Sequence, residues 1–147
     1  MGRVEQINIG PAGEVPGPVD RVEAHTGKGL VGNRYYIERG AKPGQALTLI
    51  AAEALEGLNA EHGIELSAAE SRRNVLTSGI DLNGLVGKRF RVGDIECEGV
   101  ELCEPCKSLE RATQPGVIKG LLHRGGLNAD ILSDGFISVG DEIFALA

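Results

Sequence analysis

Short apolar runs punctuated by glycine restrict this chain's folds more than any other feature. There are 22 glycines in 147 residues, scattered between apolar runs and not arranged in a repeat. The backbone must therefore reverse often, which favours a barrel or sandwich over a helix bundle. From Leu85 onward the runs alternate in character. VGKRFRVGDIECEGVEL alternates around Gly93-Asp94, and ADILSDGFISVGDEIFAL around Asp134-Gly135 and Gly140-Asp141. A period of two broken by Gly-Asp or Asp-Gly predicts antiparallel hairpins. The echo of VGDI in VGDEI is repeated turn chemistry and not an internal duplication.

The first half is more mixed. GRVEQINIG reads as a strand, and EVPGPVDRVEAH as a Pro/Gly turn entering another. Leu47 to Ile50 form a short strand that leads into a helix with the stripe Ala51, Ala54, Leu55 and Leu58, and Gly63 is placed to end it. Ser67 and Glu70 have the spacing of a capping box, which predicts a short second helix. RRNVLTSGI reads as a strand, and GVIKGLLHRGG as a short helix closed by glycine. The expected architecture is one domain over residues 1–147, mainly β with a few short peripheral helices, as a barrel of antiparallel hairpins.

Charge narrows the function. A formal net charge of -6 excludes a general nucleic-acid binder, which gains most of its affinity by neutralising phosphates. The positive residues are unevenly placed. Lys28, Arg34, Arg39 and Lys42 stand against Glu38 alone, and Lys107, Arg111, Lys119 and Arg124 against Glu110 alone. If the two segments meet, they form a positive pocket on an acidic protein, suited to a small anionic ligand. No stretch approaches the ~20 apolar residues of a membrane span, and the start lacks the apolar core of a signal peptide. With three cysteines and no secretion signal, reduced thiols and a cytoplasmic location are expected.

Cys103 and Cys106 lie in ELCEPCKSLE with the C-x-x-C spacing, which serves several chemistries. A structural zinc site would need Cys97 and one of His25, His62 or His123, and none has the usual paired spacing. A thioredoxin-type dithiol needs a long helix in a βαβ unit, whereas hairpins flank this pair and Pro115-Gly116 limits any helix after Cys106 to about two turns. A reactive thiol at Cys106, between Pro105 and Lys107, is the third reading: nearby cations stabilise a thiolate, with Cys103 as an accessory thiol. Cys97, in the alternating run IECEG, reads as a small buried hydrophobe. GKGLVG at 27–32 satisfies G-x-G-x-x-G, but the polar RVEAHT before it and the non-helical NRYYIERGAKPG after it do not supply the strand and helix a dinucleotide site requires.

Taken in order, GLVGNRYY, LTLIAAEALEGL, RRNVL, LVGKRFRVGD, CEPC and HRGGLNADILSDGFISVGDEI resemble the MOSC domain, named for the C-terminal domain of molybdenum cofactor sulfurases. The resemblance covers nearly the whole chain. It implies a MOSC-type β-barrel that binds the molybdenum cofactor (molybdopterin) and carries or transfers sulfur as a persulfide on Cys106, the cysteine after proline. Cys106 is also the residue that would ligate molybdenum. Arg72 and Asn74 match the family's R-x-N element; Arg34 and Arg124 are further candidates for holding the phosphate and pterin, and Gly126 and His123 for backbone approach to an anion and proton donation. Cys103 and Lys107 are accessory candidates. A pyridoxal phosphate site is not expected in this chain, so a cysteine desulfurase would be a separate partner, as would a molybdoenzyme acceptor. Two other functions are weighed alongside. One is a molybdenum-dependent reductase component for N-hydroxylated compounds. The other is a non-catalytic anion-binding module with redox-sensitive cysteines.

Overall fold

The computed structural model describes residues 2–146. Its strands are β1 (Gly2–Ile9), β2 (Gly17–Val19), β3 (Arg21–His25), β4 (Gly29–Leu30), β5 (Leu47–Ala51), β6 (Val75–Ser78), β7 (Arg89–Val92), β8 (Ile95–Leu102), β9 (Leu127–Ile131), β10 (Gly135–Ser138) and β11 (Glu142–Ala145). The helices are α1 (Ala52–His62), α2 (Lys107–Ala112) and α3 (Val117–Gly120).

Seven strands form a barrel in the order β11-β7-β8-β9-β5-β6-β1, and β1 pairs back onto β11 to close it. β2 extends from β1, and β10, β3 and β4 make a separate small sheet. Alternation puts one face of each strand inside: in β1, Val4 and Ile7 are buried, and in β7, Phe90 and Val92. Leu47, Leu49, Leu127, Ala129 and Ile131 share that interior. A second apolar cluster lies outside the barrel, where Leu58 of α1 meets Ile64, Leu66, Leu109, Val117 and Leu121. This cluster seats α2 and α3 against α1.

The barrel and its peripheral helices match the architecture read from the sequence, with three local differences. First, β5 and β6 run parallel, because α1 carries the chain back before β6 begins. Second, only Gly93-Asp94 joins hydrogen-bonded neighbours, β7 and β8. The turns at Asp134-Gly135 and Gly140-Asp141 instead pass the chain into and out of the small sheet, where β10 pairs with β3. Turn residues fix a reversal; the partner strand is chosen by which edge remains open. Third, the capping box between Ser67 and Glu70 is made in both directions, at 3.0 and 3.1 Å, but no helix follows. The chain forms a single turn and then enters the left-handed region at Arg72, φ 63°, which stops helical propagation. Gly63 ends α1 as expected, at φ 65° with its N–H on the Asn59 carbonyl. Among the described residues no helix is long and apolar enough to cross a membrane.

Candidate functional site

The alternation that fills the barrel also furnishes a site on its outer face. Between buried Leu47 and Leu49, Thr48 points outward; between buried Leu127 and Ala129, so does Asn128. These two outward residues are direct partners across the β5–β9 pair. Over them lies a cavity of about 310 Å³ lined by Arg34, Tyr35, Gly44, Gln45, Thr48, Arg72, Arg73, Cys103, Cys106, Ser108, Leu109 and Asn128. That volume is at the lower end of small-ligand sites. Three arginines and two thiols face it, and no carboxylate or imidazole does.

Arg73 holds the cavity together. It is only 9% exposed, and its guanidinium donates from Nε to the Gly125 carbonyl at 2.8 Å, from Nη1 to Ser71 O at 3.2 Å and from Nη2 to Cys103 O at 3.2 Å. All three acceptors are backbone carbonyls, and among the described residues no carboxylate lies within ion-pair distance of Arg73. A buried charge is expensive to hold without a counter-charge, so this one favours an anion in the cavity beside it. The left-handed backbone at Arg72 is why two consecutive arginines both reach the cavity. In an extended strand their side chains would point to opposite faces.

The cysteine loop is fixed from several sides. The Cys103 N–H donates to Gly126 O at 2.8 Å. A Cβ at Gly125 would stand 2.5 Å from the Cys103 carbonyl oxygen and 2.9 Å from Pro105 Cδ, so only glycine permits this approach. The Glu104 carboxylate accepts from the His123 backbone N–H at 2.7 Å and pairs with His123 Nδ1 at 2.8 Å. Cys106 is exposed at the entry to α2, and its carbonyl accepts the Glu110 N–H at 3.1 Å. Cys103 is half-buried. Burial pushes its thiol pKa up, the nearby Arg73 charge opposes that, and Cys106 adds to the upward shift. Cys97 lies inside the barrel with its thiol pushed up to about 12 by desolvation, so it remains an inert core thiol.

The sequence candidates therefore divide. Cys106, Cys103, Arg72 and Arg34 share one cavity, with Arg34 also donating to the Glu14 carbonyl. Asn74 is buried behind it. Its side-chain oxygen accepts from the Thr48 N–H and hydroxyl, each at 3.1 Å, and its amide donates to Asn8 O at 3.2 Å, so it braces Thr48 and is not free to read a heterocycle. Arg124 turns away: it pairs with Glu61 at 2.7 Å and, with Gly126, lines a different cleft beside Glu53, Asp81 and Asn83. Arg124, a further candidate for holding the anion, therefore does not share the lining of the cavity beside Cys106. Gly126 is needed for closeness of backbone, since a Cβ there would collide with the Leu49 carbonyl. His123 is clamped to Glu104 and lies outside the cavity lining, as does Lys107, the exposed first residue of α2. Lys28, counted with the positive segment, pairs with Glu38 at 3.0 Å. The residues a zinc site would need are dispersed: among the described residues no three His, Cys, Asp or Glu side chains form a metal-holding group.

Sequence reasoning missed Arg73, Thr48, Asn128, Tyr35 and Gln45. A signal existed for two of them, since Thr48 is the sole polar residue of LTLIA and Asn128 breaks an apolar start to LNADI. Nothing local singled out Arg73 over Arg72.

A family model described as the MOSC domain matches residues 25–144. No curated protein matches the chain by sequence. Solved structures share the fold. The YuaD protein from Bacillus subtilis is similar with a TM-score of 0.83 at 19% identity, over 97% of this chain and 94% of that one. YiiM from Geobacillus stearothermophilus gives 0.78 at 17% identity, over 100% and 76%. YiiM from Escherichia coli gives 0.72 at 18% identity, over 99% and 70%.

Proposed function

The chain belongs to the MOSC domain family, a family associated with molybdenum cofactor binding, and on that premise we propose that the cavity beside Cys106 binds the molybdenum cofactor and that Cys106 carries sulfur to it as a persulfide. The observation that carries this is the buried Arg73 guanidinium, bonded only to carbonyls, beside a cavity with two thiols and no carboxylate. That donor set fits the group: arginines for a phosphate, outward hydroxyl and amide groups for a heterocycle, and a thiolate for a soft metal. Bound there, the cofactor would supply a soft metal centre able to accept sulfur or to take Cys106 as a ligand.

The chain's own residues have four tasks in this reading. Arg72 and Arg34 approach the anion from the rim, and Arg73 supplies fixed positive potential from below. Thr48, braced by Asn74, and Asn128 offer neutral donors and acceptors on the barrel wall. Leu109, held by the cluster under α1, keeps α2 and the exposed Cys106 in place. The Cys106 thiolate attacks the outer sulfur of a donor persulfide, a new S–S bond forms on Cys106, and the donor leaves as its thiolate. A cysteine desulfurase is the proposed donor and a molybdoenzyme the proposed acceptor.

The test is expression in a host with active cofactor biosynthesis. Pterin fluorescence should co-purify with the wild type and fall about tenfold or more in Arg72→Met, equivalent to a lost charge-assisted contact of ~1.5–3 kcal/mol. Mass spectrometry after incubation with a desulfurase should find one added sulfur on Cys106. Wild-type protein with neither the pterin nor the sulfur would end the proposal.

A further inference from the structure

Granted that Cys106 accepts sulfur, the cavity also contains the means to release it. A persulfide gives up its outer sulfur as sulfide only when a nucleophile takes over the inner one. Among the twelve residues that line the cavity, Cys103 and Cys106 are the only thiols, and no carboxylate, imidazole or other soft nucleophile accompanies them. We infer that Cys103 is a resolving thiol, which attacks Sγ of the Cys106 persulfide and expels the outer sulfur as hydrosulfide into the cavity.

The loop is built for this division of labour. Cys106 is exposed and able to meet an incoming donor, whereas Cys103, in the same cavity lining, is half-buried. Cys103 is held at both backbone ends, by its N–H on Gly126 O and by Arg73 Nη2 on its own carbonyl. Only Glu104 and Pro105 separate the two cysteines, with Glu104 clamped to His123 and Pro105 pressed against Gly125. Burial shifts the Cys103 thiol upward against the opposing charge of Arg73, and a thiol of higher pKa is the stronger nucleophile once ionised. The cavity's arginines then stabilise the departing hydrosulfide anion.

The step balances. The Cys103 thiolate forms a bond to Cys106 Sγ, the bond from Sγ to the outer sulfur breaks, and its electron pair leaves on that sulfur. Over the cycle, one donor persulfide and two protein thiols become one donor thiol, one hydrogen sulfide and a Cys103–Cys106 disulfide. The sulfane sulfur is reduced and the two cysteines are oxidised. An external dithiol of the thioredoxin class returns them to thiols by exchange.

Single-turnover loading tests this with glutathione persulfide as the probe, under anaerobic conditions, on the full chain and on Cys103→Ser and Cys103→Ala, with small thiols removed after loading. The wild type should end as the Cys103–Cys106 disulfide, located by peptide mapping, with one equivalent of free sulfide. Both variants should retain one extra sulfur on Cys106 and release none. Wild-type sulfide release from the variants, or a wild type that retains its sulfur while Cys103 stays alkylatable, would overturn the resolving role and leave the carrier role intact. If neither variant gains sulfur on Cys106, the carrier reading fails and the resolving role with it.

Discussion

Three cysteines in one chain sit in three different environments. Cys97 is sealed in the barrel and its pKa is pushed up to about 12; Cys103 is shifted upward by partial burial against the opposing charge of Arg73; Cys106 is exposed. For Cys97 the consequence is a pH-dependent stability. Its pKa is raised in the folded protein above an unfolded thiol's 9.0, so its contribution is complete below that value and is lost as pH rises toward about 12. Each pH unit in that window costs about 1.4 kcal/mol. Urea denaturation at about pH 8 and pH 10 should therefore show roughly 1 kcal/mol more loss in the wild type than in Cys97→Ala. Equal pH slopes for the two proteins would refute the assignment. The core place of Cys97 was legible in sequence from alternation, and Cys106 was singled out there by the residues beside it. The setting of Cys103 was not legible, because it depends on Arg73 and Gly125, which come from 30 residues before it and 22 after it in numbering.

At the scale of elements, local rules were obeyed even where the predicted element did not form. The Ser67–Glu70 box is satisfied, yet it caps one turn, since the left-handed residue at Arg72 diverts the chain toward the cavity. The cysteine loop shows the opposite dependence: its shape is set by the turn at Gly125-Gly126, far from it in sequence. Gly125→Ala should displace that loop, because neither the Cys103 carbonyl nor the Pro105 ring is the free end of a flexible chain. The expected cost is about 1–3 kcal/mol in urea unfolding, with far-UV circular dichroism unchanged. An alkylating agent should prefer exposed Cys106 over half-buried Cys103 in the wild type, and in Gly125→Ala that preference should narrow. An unaltered preference would show that the loop is held by other contacts.

At the scale of the molecule, closure and charge distribution decide the outcome. The barrel seam rests on a short pairing, Gly2 with Ile143 and Arg3 with Glu142, while Ile143 also pairs with Val92. Ile143 is fully buried, so Ile143→Ala should cost about 2–4 kcal/mol in urea unfolding; a loss below about 1 kcal/mol would mean that the seam carries little of the stability. An acidic chain, net charge -6, meanwhile gathers three arginines around one cavity and keeps carboxylates out of its lining. The sequence by itself determined the barrel class, the helix ending at Gly63 and the core identity of Cys97, because periodicity and turn chemistry are local properties. Only the tertiary structure decided which turns became hairpins, that Arg124 belongs to Glu61 and a separate cleft, that Cys106 is exposed, and that Arg73 braces the Cys103 backbone. Strand pairing and the partners of a long side chain are settled by segments distant in the chain, and no local pattern encodes which of them will arrive.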